Sequence, residues 1–259
     1  MKQASETKPV RELIMKMEAA GLSTSELNNR LREALTNGVS KIELHNVYGQ
    51  RYIGTSLNKP VEIEIFGTPG NDLGVFMDGP RIIVRGNAQD GCGNTMNEGE
   101  IIVHGHAGDV TGLSARGGKI FIRDSVGYRA GIHMKEYGEK RPVLVIGGSA
   151  QDFLGEYMAG GVLIILGLNL SEGDFYHTTR YIGTGMHGGV IYLRGRIAPH
   201  QLGKEVGVAE LGDTDQATLE KYVGEFASHF GYDAKEILEQ RFVKLFPLHL
   251  RPYGRLYAY

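Results

Sequence analysis

Three aspartates, Asp90, Asp109 and Asp152, are the side chains whose spacing best suits joint chemistry. Asp90 and Asp109 lie 19 residues apart, and all three stand three residues before a glycine (Gly93, Gly112 and Gly155), so they share one position of a repeat. Stacked carboxylates could bind Ca²⁺ through oxygen ligands, as some solenoids do, or work as acid and base in a carbohydrate-cleaving groove. Their plainer use is to accept hydrogen bonds from backbone N–H groups within their own turns. Tyr128 interrupts the column and no G-G-x-G-x-D repeat is present, which favours the turn role.

Other candidates are more isolated. His104 and His106 could project from one face of a strand, but no third metal ligand is suggested by spacing. His133 and His187 lie near repeat glycines and could face a functional surface, yet no partner carboxylate or nucleophile stands at a matching position. Gly183-Thr-Gly185-Met-His-Gly188 fits G-x-G-x-x-G. That fingerprint needs a strand before it and a helix N-terminus after it to hold a pyrophosphate, whereas a strand-like run, Val190-Ile-Tyr-Leu193, follows here. Cys92 is the only cysteine, so the chain can form no internal disulfide and can supply no cysteine cluster for zinc or iron–sulfur. No catalytic residue, metal ligand or cofactor-binding residue is therefore assigned.

The element that must position these residues is the repeat itself. Anchor glycines Gly74, Gly93, Gly112, Gly131, Gly155 and Gly183 are each followed three residues later by Met77, Met96, Ala115, Met134, Met158 and Met186. Six residues after the anchor come Gly99, Gly118, Gly161 and Gly189, followed by β-branched runs such as Ile101-Ile102-Val103. A unit of about 19 residues is too short for a strand, a crossover helix and two loops. Coiling each strand onto its equivalent in the next unit solves the problem, which predicts a mainly β, parallel β-helix of about seven coils and roughly 30 Å. The methionines should fill its interior and the glycines its corners. Two spacings stretch, to 24 residues after Gly131 and 28 after Gly155, placing insertions around Lys135 to Arg141 and Asn169 to Arg180.

Helical caps are expected at both ends. Ser23-Thr-Ser-Glu26 resembles a capping box, followed by Leu27, Leu31, Ala34 and Leu35 at helical spacing up to Gly38; Lys41 to Leu44 is read as the first strand. Asp215 to His229 carries Leu219, Tyr222, Val223 and Phe226 on one face, and Asp233 with Glu236 opens a further helix through Arg241. The expected organisation is a helical cap over 1–40, the β-helix over 41–198 and C-terminal helices with an aromatic docking tail over 199–259. That tail, with Phe242 and Phe246, is expected to dock on its own domain or on a partner.

With 38 glycines, 8 prolines and 41% apolar residues, the glycine excess belongs to an ordered repeat. The formal net charge of −2 with no basic block gives nucleic acid no electrostatic footprint. The N-terminal residues form no apolar signal core and no run approaches 18 apolar residues, so a cytoplasmic protein that neither crosses nor binds a membrane is expected.

Gly86-Asn-Ala-Gln-Asp90, Val126-Gly-Tyr-Arg-Ala-Gly-Ile-His-Met-Lys-Glu-Tyr137, Phe153-Leu-Gly-Glu-Tyr-Met-Ala-Gly-Gly161 and Gly183-Thr-Gly-Met-His-Gly-Gly-Val-Ile-Tyr-Leu-Arg-Gly195 together resemble the G-x-G-x-G family. The likeness is closest to the C-terminal β-helix of the glutamate synthase large subunit and its stand-alone forms; Phe242-Val-Lys-Leu-Phe-Pro247 is similar to the end of that subunit. The resemblance implies a right-handed β-helix that packs between amidotransferase and FMN-binding synthase domains without supplying catalytic groups. The implied partners are glutamine amidotransferase-like and FMN-binding glutamate synthase-like subunits, with FMN and iron–sulfur on those chains and none here. Contact residues would include His133, Lys135, Glu136, Tyr137, His187, Phe242 and Phe246. The second branch of the family, the β-helix subunit of formylmethanofuran dehydrogenase, is the alternative, a carbohydrate-active β-helix a lesser one, and self-association through end coils or tail a third.

Overall fold

The computed structural model describes residues 13–170 and 176–250. The start of the N-terminal segment (1–12), part of the second insertion (171–175) and the end of the aromatic tail (251–259) lie outside the described residues. The chain opens with strand β1, Ile14–Glu18, and helix α1, Thr24–Thr36, before entering the repeat. Ser23 and Glu26 form the expected capping box, with the Glu26 carboxylate 2.9 Å from the Ser23 backbone nitrogen.

Eight strands then pair in parallel, each with the next: β2 Lys41–Tyr48, β3 Glu62–Thr68, β4 Asp78–Val84, β5 Glu98–Val103, β6 Lys119–Ile122, β7 Val143–Ile146, β8 Ala159–Ile165 and β9 Gly188–Arg194. The result is a β-solenoid of about six turns, one fewer than the repeat suggested. Its register stacks like on like: Ile63, Ile82, Ile101, Ile120, Leu144, Leu163 and Ile191 form one inward column, buried along its length. Each such side chain contributes about 1.5–3 kcal/mol by leaving water.

The methionines lie where the spacing put them. Met77, Met96, Met134, Met158 and Met186 are buried to 1% exposure or less, with Ala115 in the same column. Two glycine columns make their room. A Cβ on Gly131 would stand 3.2 Å from the Met134 sulfur of its own coil, and one on Gly161, in the next coil, 3.2 Å from the methyl of the same methionine. The G-x-x-M-x-x-G spacing therefore follows from fitting one long side chain between two backbones.

The N-terminal end carries the expected helical cap, and the ends differ from expectation in detail. β1 pairs in parallel with β2, so the sheet starts before Lys41, and α1 buries Leu27, Leu31 and Leu35 against the interior as a plug. After a 3-10 turn, Pro199–Gln201, come β10 Val206–Ala209, α2 Asp213–Phe230, α3 Ala234–Leu238 and β11 Phe242–Pro247. It is β11, not a helix, that closes the C-terminal end, inserted antiparallel between β9 and β10. The first part of the tail thus docks on its own domain. α3 stops at Leu238 rather than Arg241 because the chain is already turning into that pairing: the Arg241 carbonyl accepts the Gly195 N–H at 2.9 Å.

α2 lies along the outside of the sheet. Leu219, Val223 and Phe226 pack with Ile237 of α3 on the outward side chains Ile83, Ile102, Phe121, Val145 and Ile164. Gly231, at φ +76°, ends the helix in the left-handed conformation that glycine adopts without steric cost.

Candidate functional site

The aspartates form a ladder, and it runs between coils rather than within turns. Asp90 Oδ1 accepts the Asp109 N–H at 2.9 Å, Asp109 Oδ1 accepts that of Tyr128 at 2.8 Å, and Asp152 Oδ1 accepts that of Arg180 at 2.9 Å. Each therefore serves the equivalent residue of the next coil, which corrects the expected turn-internal cap. Arg180 also pairs with Asp152 through its guanidinium at 3.0 Å.

A neighbouring column makes the same bond with other chemistry. Asn87 Oδ1 accepts the His106 N–H, His106 Nδ1 that of Ser125, and Ser125 Oγ that of Ser149, at 2.9, 3.2 and 3.1 Å. An amide, an imidazole and a hydroxyl each make it on successive coils. What the position requires is an acceptor, so a carboxylate in it is no sign of acid–base catalysis.

His104 and His106 do not come together. His104 Nε2 stands 2.9 Å from Arg85 Nη1 and its ring meets Phe230 edge-on at 5.1 Å. Arg85 can only donate, so this ring nitrogen accepts and the imidazole is neutral; burial and then the Arg85 charge push its pKa down. Gly183 to Gly188 leads straight into β9, with no helix N-terminus for a phosphate. Cys92 is buried, which pushes its thiol up to about 12, so it carries no thiolate near neutrality.

The most repetitive feature is the corner containing the anchor glycines. In coil after coil three alternate residues are left-handed: 129, 131 and 133; 153, 155 and 157; 181, 183 and 185. The outer two donate forward, as when His133 N–H meets Glu156 O at 3.0 Å, and the central glycine donates back, as when Gly131 N–H meets Thr111 O at 2.8 Å. Left-handed backbone thus keeps the corner hydrogen-bonded in both directions.

On the last coils this corner carries rings. His133 stacks on Tyr157 with centroids 5.4 Å apart and planes 10° from parallel, while Phe153 stacks on Tyr181 at 4.8 Å and 14°. The Arg129 guanidinium covers Phe153 at 5.3 Å. Tyr128, Tyr157 and Tyr181 stay half-exposed.

The remaining candidates are dispersed. Lys135 is half-buried beside the first insertion, whose loop is closed by paired backbone bonds between Tyr137 and Lys140. Glu136 bonds the Gly161 N–H at 3.2 Å and Arg141 at 3.1 Å, and Tyr137 is exposed. His187 is half-buried with Nδ1 3.2 Å from Gly185 O, a long contact within its own turn. Phe242 is buried under the C-terminal helices and Phe246 half-buried over Gly207, so neither is a free surface ring.

Sequence reasoning missed two charged sites. Lys41, Glu62, Arg81, Glu100 and Lys119 stack in register on the outer sheet face with alternating sign, at 2.8, 2.7, 2.8 and 3.4 Å, and Glu225 of α2 ends the row 2.6 Å from Lys119. The signal was present as alternating charges before each apolar run. Burial opposes charge on Glu100, but His229, Arg81 and Lys119 around it prevail and hold its carboxyl at about 2. The second is Asp215, which takes the Tyr192 hydroxyl at 2.6 Å and Lys244 at 2.8 Å, fixing the start of α2 to β9 and β11. Burial, then Asp215, raises the Tyr192 pKa. Among the described residues no group of three or more His, Cys, Asp or Glu could hold a metal ion.

A model of a protein family described as the GXGXG motif matches residues 10–248. Among curated proteins, the uncharacterized protein MJ1350 of Methanocaldococcus jannaschii is 51% identical over 249 residues, covering 93% of this chain and 95% of that one.

Proposed function

The chain belongs to the GXGXG motif family, which includes the C-terminal domain of the glutamate synthase large subunit, and from that membership we propose that it is a non-catalytic scaffold in a glutamate-synthase-type complex. It bridges a glutamine amidotransferase-like subunit and an FMN-binding synthase-like subunit in the cytoplasm, and those chains carry the FMN and the iron–sulfur centres. The observation that supports this reading best is the use made of the reactive-looking side chains. Asp90, Asp109 and Asp152 each commit an oxygen to the backbone of the next coil, a task that Asn87, His106 and Ser125 also perform beside them.

Co-expression with the amidotransferase-type and synthase-type subunits of the same genome tests the proposal. The expected result is a complex containing all three chains that survives gel filtration. A chain that elutes alone, or that assembles instead with molybdenum- or tungsten-enzyme subunits, overturns it.

A further inference from the structure

The left-handed corner of the last three coils has a property that the fold does not require. The backbone there must take positive φ so that its N–H groups alternate in direction, a conformation that glycine accepts freely and that is uncommon for bulky side chains. Earlier coils fill the same positions with Ser56, Asp72, Gly91, Thr95, Val110 and Ser114, and only Tyr52 and Phe76 are aromatic. The last coils fill five of the six outer positions with Arg129, His133, Phe153, Tyr157 and Tyr181, at φ between 51° and 66°, and the sixth with Gly185. Rings are thus held half in water, on backbone that favours glycine, where the solenoid gains no core from them.

We propose that Tyr128, Arg129, His133, Phe153, Tyr157 and Tyr181 form a docking ledge for an uncharged face of a folded partner subunit. The charges decide the kind of partner. Arg129 is held by Glu156 at 3.3 Å and Arg180, at the margin, by Asp152 at 3.0 Å, so the ledge offers phosphate no uncompensated cation. A nucleic-acid backbone or an anionic membrane would need one. Tyrosine and arginine, rigid and amphipathic, are side chains that stand exposed in the free protein and bury well against neutral protein surface. The proposal rests on the scaffold reading above and names the surface through which the scaffold binds.

The test uses the full chain with Phe153→Gly, Tyr157→Gly and Tyr181→Gly combined, and a second variant, Tyr128→Ser, at a position with ordinary backbone. Because glycine suits the three corner positions, the triple variant should melt within about 3 °C of the wild type, while its affinity for the co-expressed amidotransferase-type or synthase-type subunit falls at least about tenfold. Tyr128→Ser should weaken the same contact with no change in melting.

Wild type and variants that bind the subunits equally overturn the ledge and leave the scaffold reading standing. A wild type that binds neither subunit overturns both. A triple variant that melts far lower shows the rings to be structural, and ledge-dependent binding of a uridylate 20-mer shows a base-stacking platform; either result overturns the proposal.

Discussion

The solenoid has two long surfaces that carry apolar side chains outside its core, and the chain treats them oppositely. On the outer face of the sheet, the column that begins with Glu43 and Glu64 becomes Ile83, Ile102, Phe121, Val145 and Ile164, and where it turns apolar α2 covers it. On the left-handed corner the rings of Phe153, Tyr157 and Tyr181 are stacked against neighbours of the same corner, and Tyr157 and Tyr181 remain half-exposed. The difference lies in the side chains. Isoleucine and valine have no polar atom to leave in water, so the fold must hide them internally; tyrosine, histidine and arginine tolerate water and can wait for a second chain.

That contrast predicts where substitutions will act. The largest effect should come from the covered face: Phe226→Ala, at a side chain with no exposure between Phe230 and Tyr232, should cost about 3–5 kcal/mol by denaturant unfolding. A loss below about 1 kcal/mol would mean that α2 is an accessory and would dissolve the contrast.

Acid should act next, on the charged row that anchors the end of α2. The Glu100 carboxyl is depressed from an ordinary 4.5 to about 2, so its contribution is complete above about pH 4.5 and lost as pH falls toward about 2. Glu100→Gln should therefore reduce stability by about 2–3 kcal/mol at pH 7 and by little at pH 2. Equal losses at both pH values would assign the effect to packing. Arg81→Ala, half in water between Glu62 and Glu100, should cost only about 0.5–1 kcal/mol and less in high salt. Smallest of all, glycine at Tyr157 should leave stability nearly unchanged while acting on partner binding, the reverse of Phe226→Ala.

Much of the fold was legible because the repeat is a geometric fact: Gly74 to Met77 to the next coil's Gly99 describes one side chain lying between two backbones. The capping box at Ser23 and the stop at Gly231 were equally local. What could not be read was which direction a bond would take. Asp90 has the same spacing to Gly93 whether it caps its own turn or the next coil, and only register separates the two. The position of α2 was recoverable in principle, because the middle residues of the runs change from Glu64 to Ile83 and Ile102, yet helical periodicity alone says that a face is buried and not against what. The row from Lys41 to Lys119 needed strand register before its alternating signs became neighbours. The corner rings were visible as letters, but their stacking depends on a left-handed backbone that no aromatic residue announces.

The sharpest test asks whether the aspartates of the ladder take any part in catalysis by the proposed complex. The measurement is glutamine-dependent glutamate formation by the proposed complex once reconstituted, with this chain as wild type and as Asp90→Asn, Asp109→Asn and Asp152→Asn combined. Asparagine keeps an Oδ1 acceptor for each N–H and removes the carboxylate. Activity should require this chain and stay within about twofold of wild type in the triple variant; a folded, fully assembled variant complex whose rate falls about a hundredfold or more would give the aspartates a catalytic role.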